Sequence, residues 1–137
     1  KLLQGDAGNM PFSDNYFDSV GMSFGFRNRT FENPDAQLHI SEVLRVLKPG
    51  GRFVIVETSQ PENKLIRNGY HFYQKYITAP IGGILSGNRP AYDYLAYSAN
   101  HYYSIPEISK LLKDAGFSKV TGIPLMLGAT AIVIAEK

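Results

Sequence analysis

Residues 36–58 read AQLHISEVLRVLKPGGRFVIVET, and this stretch decides the fold. Apolar residues recur at helical spacing over its first half, which predicts an amphipathic helix ending at Leu47. The KPGG sequence at 48–51 is typical of a helix end, with a basic last turn followed by Pro and Gly. The apolar run at 53–58 predicts a buried strand. A helix that leads directly into a buried strand indicates an α/β sheet.

The segment before this unit contains a second strand signal. Residues 17–24, FDSVGMSF, form a short and mostly apolar run between turn residues, which predicts another buried parallel strand. Loops are expected over 6–15 and 24–33. Residues 1–5 look like the end of a strand, so we expect the N-terminal strands of the sheet to lie upstream of Lys1.

The second half of the chain predicts more helices and then a strand pair. We expect one domain over 1–137, with an aromatic-rich helical insert or lid at 63–104. The pattern predicts helices at 63–77, 92–100 and 105–115, a Gly/Pro loop at 80–90, and strands at 119–125 and 130–135 joined by a turn around Gly128. The fold class is therefore α/β, with a mostly parallel sheet that closes in an antiparallel strand pair.

Composition excludes several classes of protein. With 137 residues, 44% hydrophobic and 19% charged, the chain is globular rather than disordered. The net charge is only +2 and no run of Lys or Arg occurs, so nothing indicates nucleic-acid binding. There is no cysteine, and the three histidines lack metal-ligand spacing, so we expect no metal site. No apolar stretch approaches the roughly 20 residues that span a bilayer.

Three loops leave strands at the carboxyl edge of the expected sheet, at 5–12, 24–33 and 58–63. Ligands bind at this edge in doubly wound folds, so we expect the loops to cluster around a site. The carboxylate of Asp6 could accept a hydrogen bond from an exocyclic amine such as adenine N6. The alternative is an aspartate that only caps its own turn.

Arg27 and Asn28 form the second candidate group. An arginine can bind a carboxylate, a phosphate or a developing phenolate, but it is a poor general base because it stays protonated. The alternative for Arg27 is a surface ion pair. His71, His101, a tyrosine or a water could serve as a base, and the sequence does not choose among them.

Three motifs together resemble the class I S-adenosylmethionine-dependent methyltransferases: GDAGNMPF at 5–12, SFGFRN at 23–28 and EVLRVLKPGGRFVIVE at 42–57. The SFGFRN motif, with YDYLAYS at 92–98 and LLKDAGF at 111–117, narrows the resemblance to the ubiquinone/menaquinone-biosynthesis C-methyltransferases. The similarity runs from Gly5 to the end of the chain.

The resemblance implies a cofactor, a substrate and their contacts. The cofactor would be S-adenosylmethionine, with Asp6 and Ala7 against its adenine and Ser23 near its methionine part. Arg27 and Asn28 would face a quinol, either demethylmenaquinol or a related ubiquinone precursor, which is methylated on carbon. The family's Gly-rich cofactor loop, its first strand and the acidic residue that grips the ribose would all lie upstream of Lys1.

Further expectations concern location and assembly. A hydrophobic isoprenoid substrate implies a cytoplasmic protein with peripheral membrane contact, although the sequence offers no convincing anchoring helix. Without upstream strands, the 17–24 strand becomes an edge, which favours a homodimer or a strand-swapped oligomer and an inactive isolated chain. Two other functions stay open: methylation of a sterol or another small acceptor, and a non-catalytic α/β scaffold module.

Overall fold

A four-stranded mixed sheet forms the centre of the computed structural model, which describes residues 2–137. Its strands are β1 (Phe17–Ser23), β2 (Leu47–Thr58), β3 (Lys119–Leu125) and β4 (Thr130–Glu136), in the spatial order β1-β2-β4-β3. β1 pairs with β2 in parallel, and β4 is antiparallel to both of its neighbours. Three strands therefore run in one direction and only β4 reverses, which confirms the predicted fold class and its antiparallel closing pair.

Helices fill the two long connections of the sheet. They are α1 (Phe26–Thr30), α2 (Ala36–Val46), α3 (Lys64–Tyr73), α4 (Ala79–Ser86), α5 (Arg89–His101) and α6 (Ile105–Asp114), with a π-helical turn (Gln74–Thr78) between α3 and α4. Asn63 caps α3 by accepting from the backbone N–H groups of Leu65 and Ile66. Ser104 and Glu107 form a capping box at the start of α6. These caps explain why both helices begin where the sequence predicts.

The predicted loop at 80–90 is wrong, because α4 and the start of α5 occupy most of it. The two glycines that suggested a loop instead allow the helices to pack closely. A Cβ at Gly83 would lie 3.1 Å from the Cα of Arg89, and one at Gly82 would collide with the Tyr92 ring. Gly87, at φ 68°, ends α4 in the left-handed region.

Two strand boundaries also differ from the prediction. β2 begins at Leu47 rather than at Phe53, because the KPGG segment pairs along the sheet through an irregularity opposite residues 17–19. Gly50 takes φ 74° there, a conformation that favours glycine. Residues 2–5 form no strand, since no strand of the described chain lies beside them; Lys1 lies outside the described residues.

The core lies between the sheet and the helices α2 and α6. Its fully buried side chains come from both helices, from β2 and from the segments that follow α5 and α6: Ile40, Val43, Leu47, Phe53, Ile55, Tyr102, Ile108, Leu112 and Phe117. α1 adds Phe26, whose ring packs edge-on against Phe53 at 5.8 Å. This packing fixes β2, and with it the residues at the carboxyl end of β2.

Replacing Leu47 by alanine should lower the free energy of unfolding by about 2–5 kcal/mol, because it leaves a cavity at a fully buried position. Urea denaturation of the purified protein measures the change. The matched control is Leu127→Ala, since that leucine is 78% exposed and its loss should cost no more than about 0.5 kcal/mol. Equal destabilisation by the two variants would contradict this core.

Candidate active site

The carboxyl ends of β1 and β2 meet, as the sequence predicts for two of its three loops. The backbone N–H of Phe24 donates to the carbonyl of Val56 over 2.8 Å, which places the end of β1 beside the end of β2. The next turn starts α1, where the backbone N–H of Arg27 donates to Glu57 Oε2 over 3.0 Å. The loops 24–33 and 58–63 therefore share one corner of the molecule.

Glu57 is a buried carboxylate at the centre of this corner, with only 1% of the residue exposed. Its Oε1 accepts from the backbone N–H and the hydroxyl of Thr58, over 2.8 and 3.1 Å. Arg27 supplies the opposite charge, with Nε at 3.9 Å from Glu57 Oε1. A buried charge needs such partners, so Glu57 holds the start of α1 against the end of β2.

The Arg27 side chain also reaches α5. Its Nη1 donates to the carbonyl of Leu95 over 3.3 Å and to the hydroxyl of Ser98. Arg27 is thus buried rather than in the surface ion pair that was its alternative. Its Nε is buried without a hydrogen-bond partner among the described residues. This N–H therefore makes no hydrogen bond with them, although the Glu57 carboxylate lies only 3.9 Å from Nε.

A second contact joins α1 to the end of α5. The hydroxyls of Thr30 and Tyr102 lie 2.8 Å apart, and both residues are buried. Burial also raises the pKa of Tyr102 well above its ordinary value, so this phenol stays protonated. α1 is consequently held by α5 at both of its ends.

Asn28 and Ser23 are exposed beside this corner. Asn28 lies on the same short helix as Arg27, and Ser23 is the last residue of β1, opposite Val56. Their side chains form none of the hydrogen bonds found among residues 2–137, so both are free to meet a ligand.

The loop that carries Asp6 and Ala7 is held against α2. Glu42 Oε1 accepts from the backbone N–H of Met10 over 2.8 Å, and Arg45 donates to the carbonyls of Met10 and Phe12. Hydrogen bonding to Arg45 lowers the pKa of Glu42, so the carboxylate that holds the loop is ionised at neutral pH. No hydrogen bond among the described residues joins this loop to Arg27.

Asp6 does cap its own turn, through a 2.9 Å hydrogen bond from the backbone N–H of Gly8 to Oδ1. Its Oδ2 accepts no hydrogen bond among the described residues. A cavity of about 210 Å³ opens beside it, lined by residues of this loop that include Ala7 and Met10. An exposed carboxylate oxygen next to apolar side chains fits a flat ring that carries an amine, such as adenine.

His71 is the better defined of the two candidate bases. Gln60 Nε2 donates to the carbonyl of Ala99, so its Oε1 faces the ring and must accept from His71 Nε2 over 2.7 Å. The lone pair therefore lies on Nδ1. Burial, together with the positive charge of Arg67 and the neighbouring His101, lowers the pKa of His71 and favours the neutral imidazole.

Two residues of this arrangement, Gln60 and Ser98, escaped the sequence analysis. Gln60 lies inside the expected loop 58–63, so its position at the carboxyl edge was a usable signal. Ser98 gives no such signal, because a serine inside a helix is ordinary until the fold brings Arg27 to it. The expected clustering of Arg27 and Asn28 at a sheet edge is found, whereas their contacts with ligands stay predictions.

The fold matches that of solved S-adenosylmethionine-dependent methyltransferases. One from Thermotoga maritima superposes with a TM-score of 0.61 at 21% identity, over 98% of this chain and 63% of that one. Another from Aquifex aeolicus gives 0.57 at 20% identity, over 99% and 53%. The chain therefore has a Rossmann-like methyltransferase fold.

The chain belongs to the ubiE/COQ5 methyltransferase family, whose model matches residues 1–137. A demethylmenaquinone methyltransferase of Bacillus pumilus is 39% identical over 100% of this chain and 57% of its own length. The mitochondrial 2-methoxy-6-polyprenyl-1,4-benzoquinol methylase of Bos taurus is 40% identical over 95% and 38%. The chain thus spans about half the length of the curated relatives it matches.

Replacing Glu57 by glutamine should lower the free energy of unfolding by about 3 kcal/mol, because it leaves the buried Arg27 without its opposite charge. Adding Arg27→Met should cost less than the sum of the two single changes, since the pair is coupled. Chemical denaturation of the four proteins in this cycle measures the coupling. The control is Glu136→Gln, which removes the exposed partner of Arg52 and should cost under about 1 kcal/mol. Strictly additive losses at Arg27 and Glu57 would refute the pair.

The low pKa of His71 predicts a loss of stability in acid. Because its pKa is lower in the folded state than in the unfolded chain, unfolding takes up a proton. The free energy of unfolding should therefore fall as pH drops below about 6.5, the unfolded value, and should level off below the folded pKa. Denaturation of the His71→Gln variant should show a weaker pH dependence in this window. His39→Gln, which removes a histidine on α2, should keep the wild-type profile; identical curves for all three proteins would exclude this role.

Proposed function

We propose that the whole protein transfers a methyl group from S-adenosylmethionine to a ring carbon of a polyprenyl quinol, demethylmenaquinol or a related benzoquinol precursor. The observation that carries this proposal is the match of residues 1–137 to the ubiE/COQ5 methyltransferase family. The names of its relatives support it, since one is a demethylmenaquinone methyltransferase and another a polyprenyl benzoquinol methylase. The corner formed by Arg27, Asn28 and Glu57 supports an acidic ring hydroxyl as the group that is recognised.

S-adenosylmethionine, when bound, supplies an electrophilic methyl group on a sulfonium. Asp6 and Ala7 would hold its adenine, with the free carboxylate oxygen of Asp6 accepting from the amine. Ser23 would lie beside its methionine part, at the end of β1. The Asp6 loop and the Arg27 corner would thus contact opposite parts of one cofactor.

The role of the chain's own residues is to prepare the ring. A base removes the proton of the ring hydroxyl, and the charge then spreads to the ortho carbon, which becomes nucleophilic. Arg27 stabilises the phenolate through its buried guanidinium, and Asn28 holds a second ring oxygen. The ortho carbon would form its new bond to the methyl group as the methyl–sulfur bond breaks, which leaves S-adenosylhomocysteine as a neutral thioether. The same carbon then loses its hydrogen as a proton to water, which restores the aromatic ring.

His71 is the proposed base, because its Nδ1 lone pair is available and its lowered pKa keeps the ring neutral. His101 is less suitable, since its Nδ1 already lies 2.8 Å from the carbonyl of Tyr97 and the ring is exposed.

A single assay compares the acceptors: the whole protein is incubated with S-adenosylmethionine and demethylmenaquinol, a demethylated benzoquinol or a sterol. Mass spectrometry should find one added methyl group on a quinol. Methylation of the sterol alone, or of none, would reject the proposal.

Replacing Arg27 by lysine should lower kcat by about 10²–10³-fold, because the single nitrogen of an ammonium lacks the planar fork that reaches Ser98 and Leu95 with one end and the substrate oxygen with another. The affinity for S-adenosylmethionine, measured by calorimetry, should change by less than about threefold, since Arg27 is assigned to the quinol. The control is Arg29→Ala, an exposed arginine on the same helix, which should keep normal turnover. Circular dichroism checks that the variants fold. Equal losses of turnover and cofactor affinity would count against this role of Arg27.

A further inference from the structure

A set of exposed apolar side chains runs along α3, the π-helical turn and α4. This apolar stripe comprises Leu65, Phe72, Tyr73, Tyr76, Ile77, Ile81, Ile84 and Leu85. Leu65, Ile84 and Leu85 are each about four-fifths exposed, at 81%, 78% and 82%. Large apolar residues scattered singly on a surface are ordinary, but eight along one helical segment form a patch that marks an interaction surface.

The spacing of the stripe is that of one helix face. Phe72 and Tyr73 lie seven and eight residues after Leu65, and each later member lies three or four residues after an earlier one. Residues at these intervals lie on the same side of a helix. α3 contributes no buried residue at all, and α4 buries only Ala79 and Gly83. Packing within the described chain therefore does not account for the apolar side of this segment.

The charged residues of the segment that carries the stripe are basic, and the nearest acidic residues, Glu62 and Asp93, flank it, with Asp93 3.8 Å from Arg89. Between residues 63 and 92 the sequence holds no aspartate or glutamate, although the whole chain has 12. The same segment carries Lys64, Arg67, Lys75 and Arg89. Lys64, Lys75 and Arg89 are exposed. An apolar helix face with an excess of basic side chains is typical of a helix that lies in the surface of an anionic membrane.

We propose that the apolar stripe inserts into the headgroup–acyl boundary of a bilayer that contains anionic lipid. The leucine, isoleucine and phenylalanine side chains would enter the acyl region, while the tyrosines and the lysine ammonium groups stay at the headgroup level. No helix among residues 2–137 is long and apolar enough to cross a membrane. The proposed membrane-binding element is thus a surface helix, which the sequence pattern alone does not indicate because a loop is predicted at 80–90.

A second copy of this chain fits the stripe less well. A two-fold dimer contact is self-complementary, so it would bring the basic residues of two identical segments together with no acidic residue between 63 and 92 to offset them. Anionic lipid headgroups instead supply the missing negative charge. This inference goes beyond the proposed function and does not depend on it, because vesicle binding is measured without methyl transfer.

The experiment is co-sedimentation of the whole protein with two kinds of vesicle. One contains neutral phosphatidylcholine alone, and the other contains in addition about 30% phosphatidylglycerol, an anionic lipid content on the order of that of a strongly anionic leaflet. The protein should bind the anionic vesicles and should be released by high salt. Leu65→Glu with Leu85→Glu should weaken binding at least about tenfold. The matched control is Met126→Glu, since Met126 is equally exposed at 79% but lies on the β3–β4 turn. It should bind like the wild type.

A second variant tests the charges separately from the apolar contact. Lys64→Gln with Lys75→Gln should weaken binding to anionic vesicles by about thirtyfold and should leave any weak binding to neutral vesicles unchanged. Absence of vesicle binding by the whole wild-type protein would overturn the inference. So would a dimer, found by analytical ultracentrifugation, that Leu65→Glu with Leu85→Glu dissociates while vesicle binding is unaffected. Methylation of a quinol analogue without its isoprenoid tail is a separate readout, and its failure would bear only on the proposed function.

Discussion

The hydrogen bonds that satisfy Glu57 are the constraint on which the carboxyl edge of this sheet depends. A carboxyl group with 1% exposure is stable only where hydrogen-bond partners surround it, and here they come from Thr58 and from the first turn of α1. The start of α1 can therefore take only the position in which its backbone N–H points at β2. A strand, a helix and a buried arginine are fixed together by one side chain.

The side chains of the short helix α1 extend this constraint from β2 to the helical insert at 63–104. Arg27 joins Glu57 to Ser98, and Thr30 joins the same short helix to Tyr102. Gln60 makes a further connection, since it bonds both the carbonyl of Ala99 and the ring of His71. The carboxyl end of β2 thus positions α5, and α5 closes one side of the candidate site. Any movement of the insert would have to break buried polar contacts.

Sequence patterns predicted what depends on neighbouring residues and missed what depends on distant ones. The 36–58 pattern predicted α2 and β2 because helix periodicity and a β-branched run are local signals. The 80–90 segment was assigned to a loop because glycine and proline are turn formers, yet Gly82 and Gly83 serve the close packing of α4 on α5. The grouping of Arg27 with strand ends followed from topology. The contact of Arg27 with Ser98 on α5 could not be predicted, because the two residues are 71 positions apart.

The π-helical turn between α3 and α4 has a consequence for how this segment tolerates insertions and deletions. In an ordinary α-helix the eight residues from Tyr73 to Ile81 would advance about 80° beyond two full turns. The wider turn at Gln74–Thr78 absorbs this offset, and both residues are 53% exposed. Removing one residue there would rotate everything after it by about 100°. The segment could then remain helical while its two halves pointed in different directions, so its length is as tightly constrained as its composition.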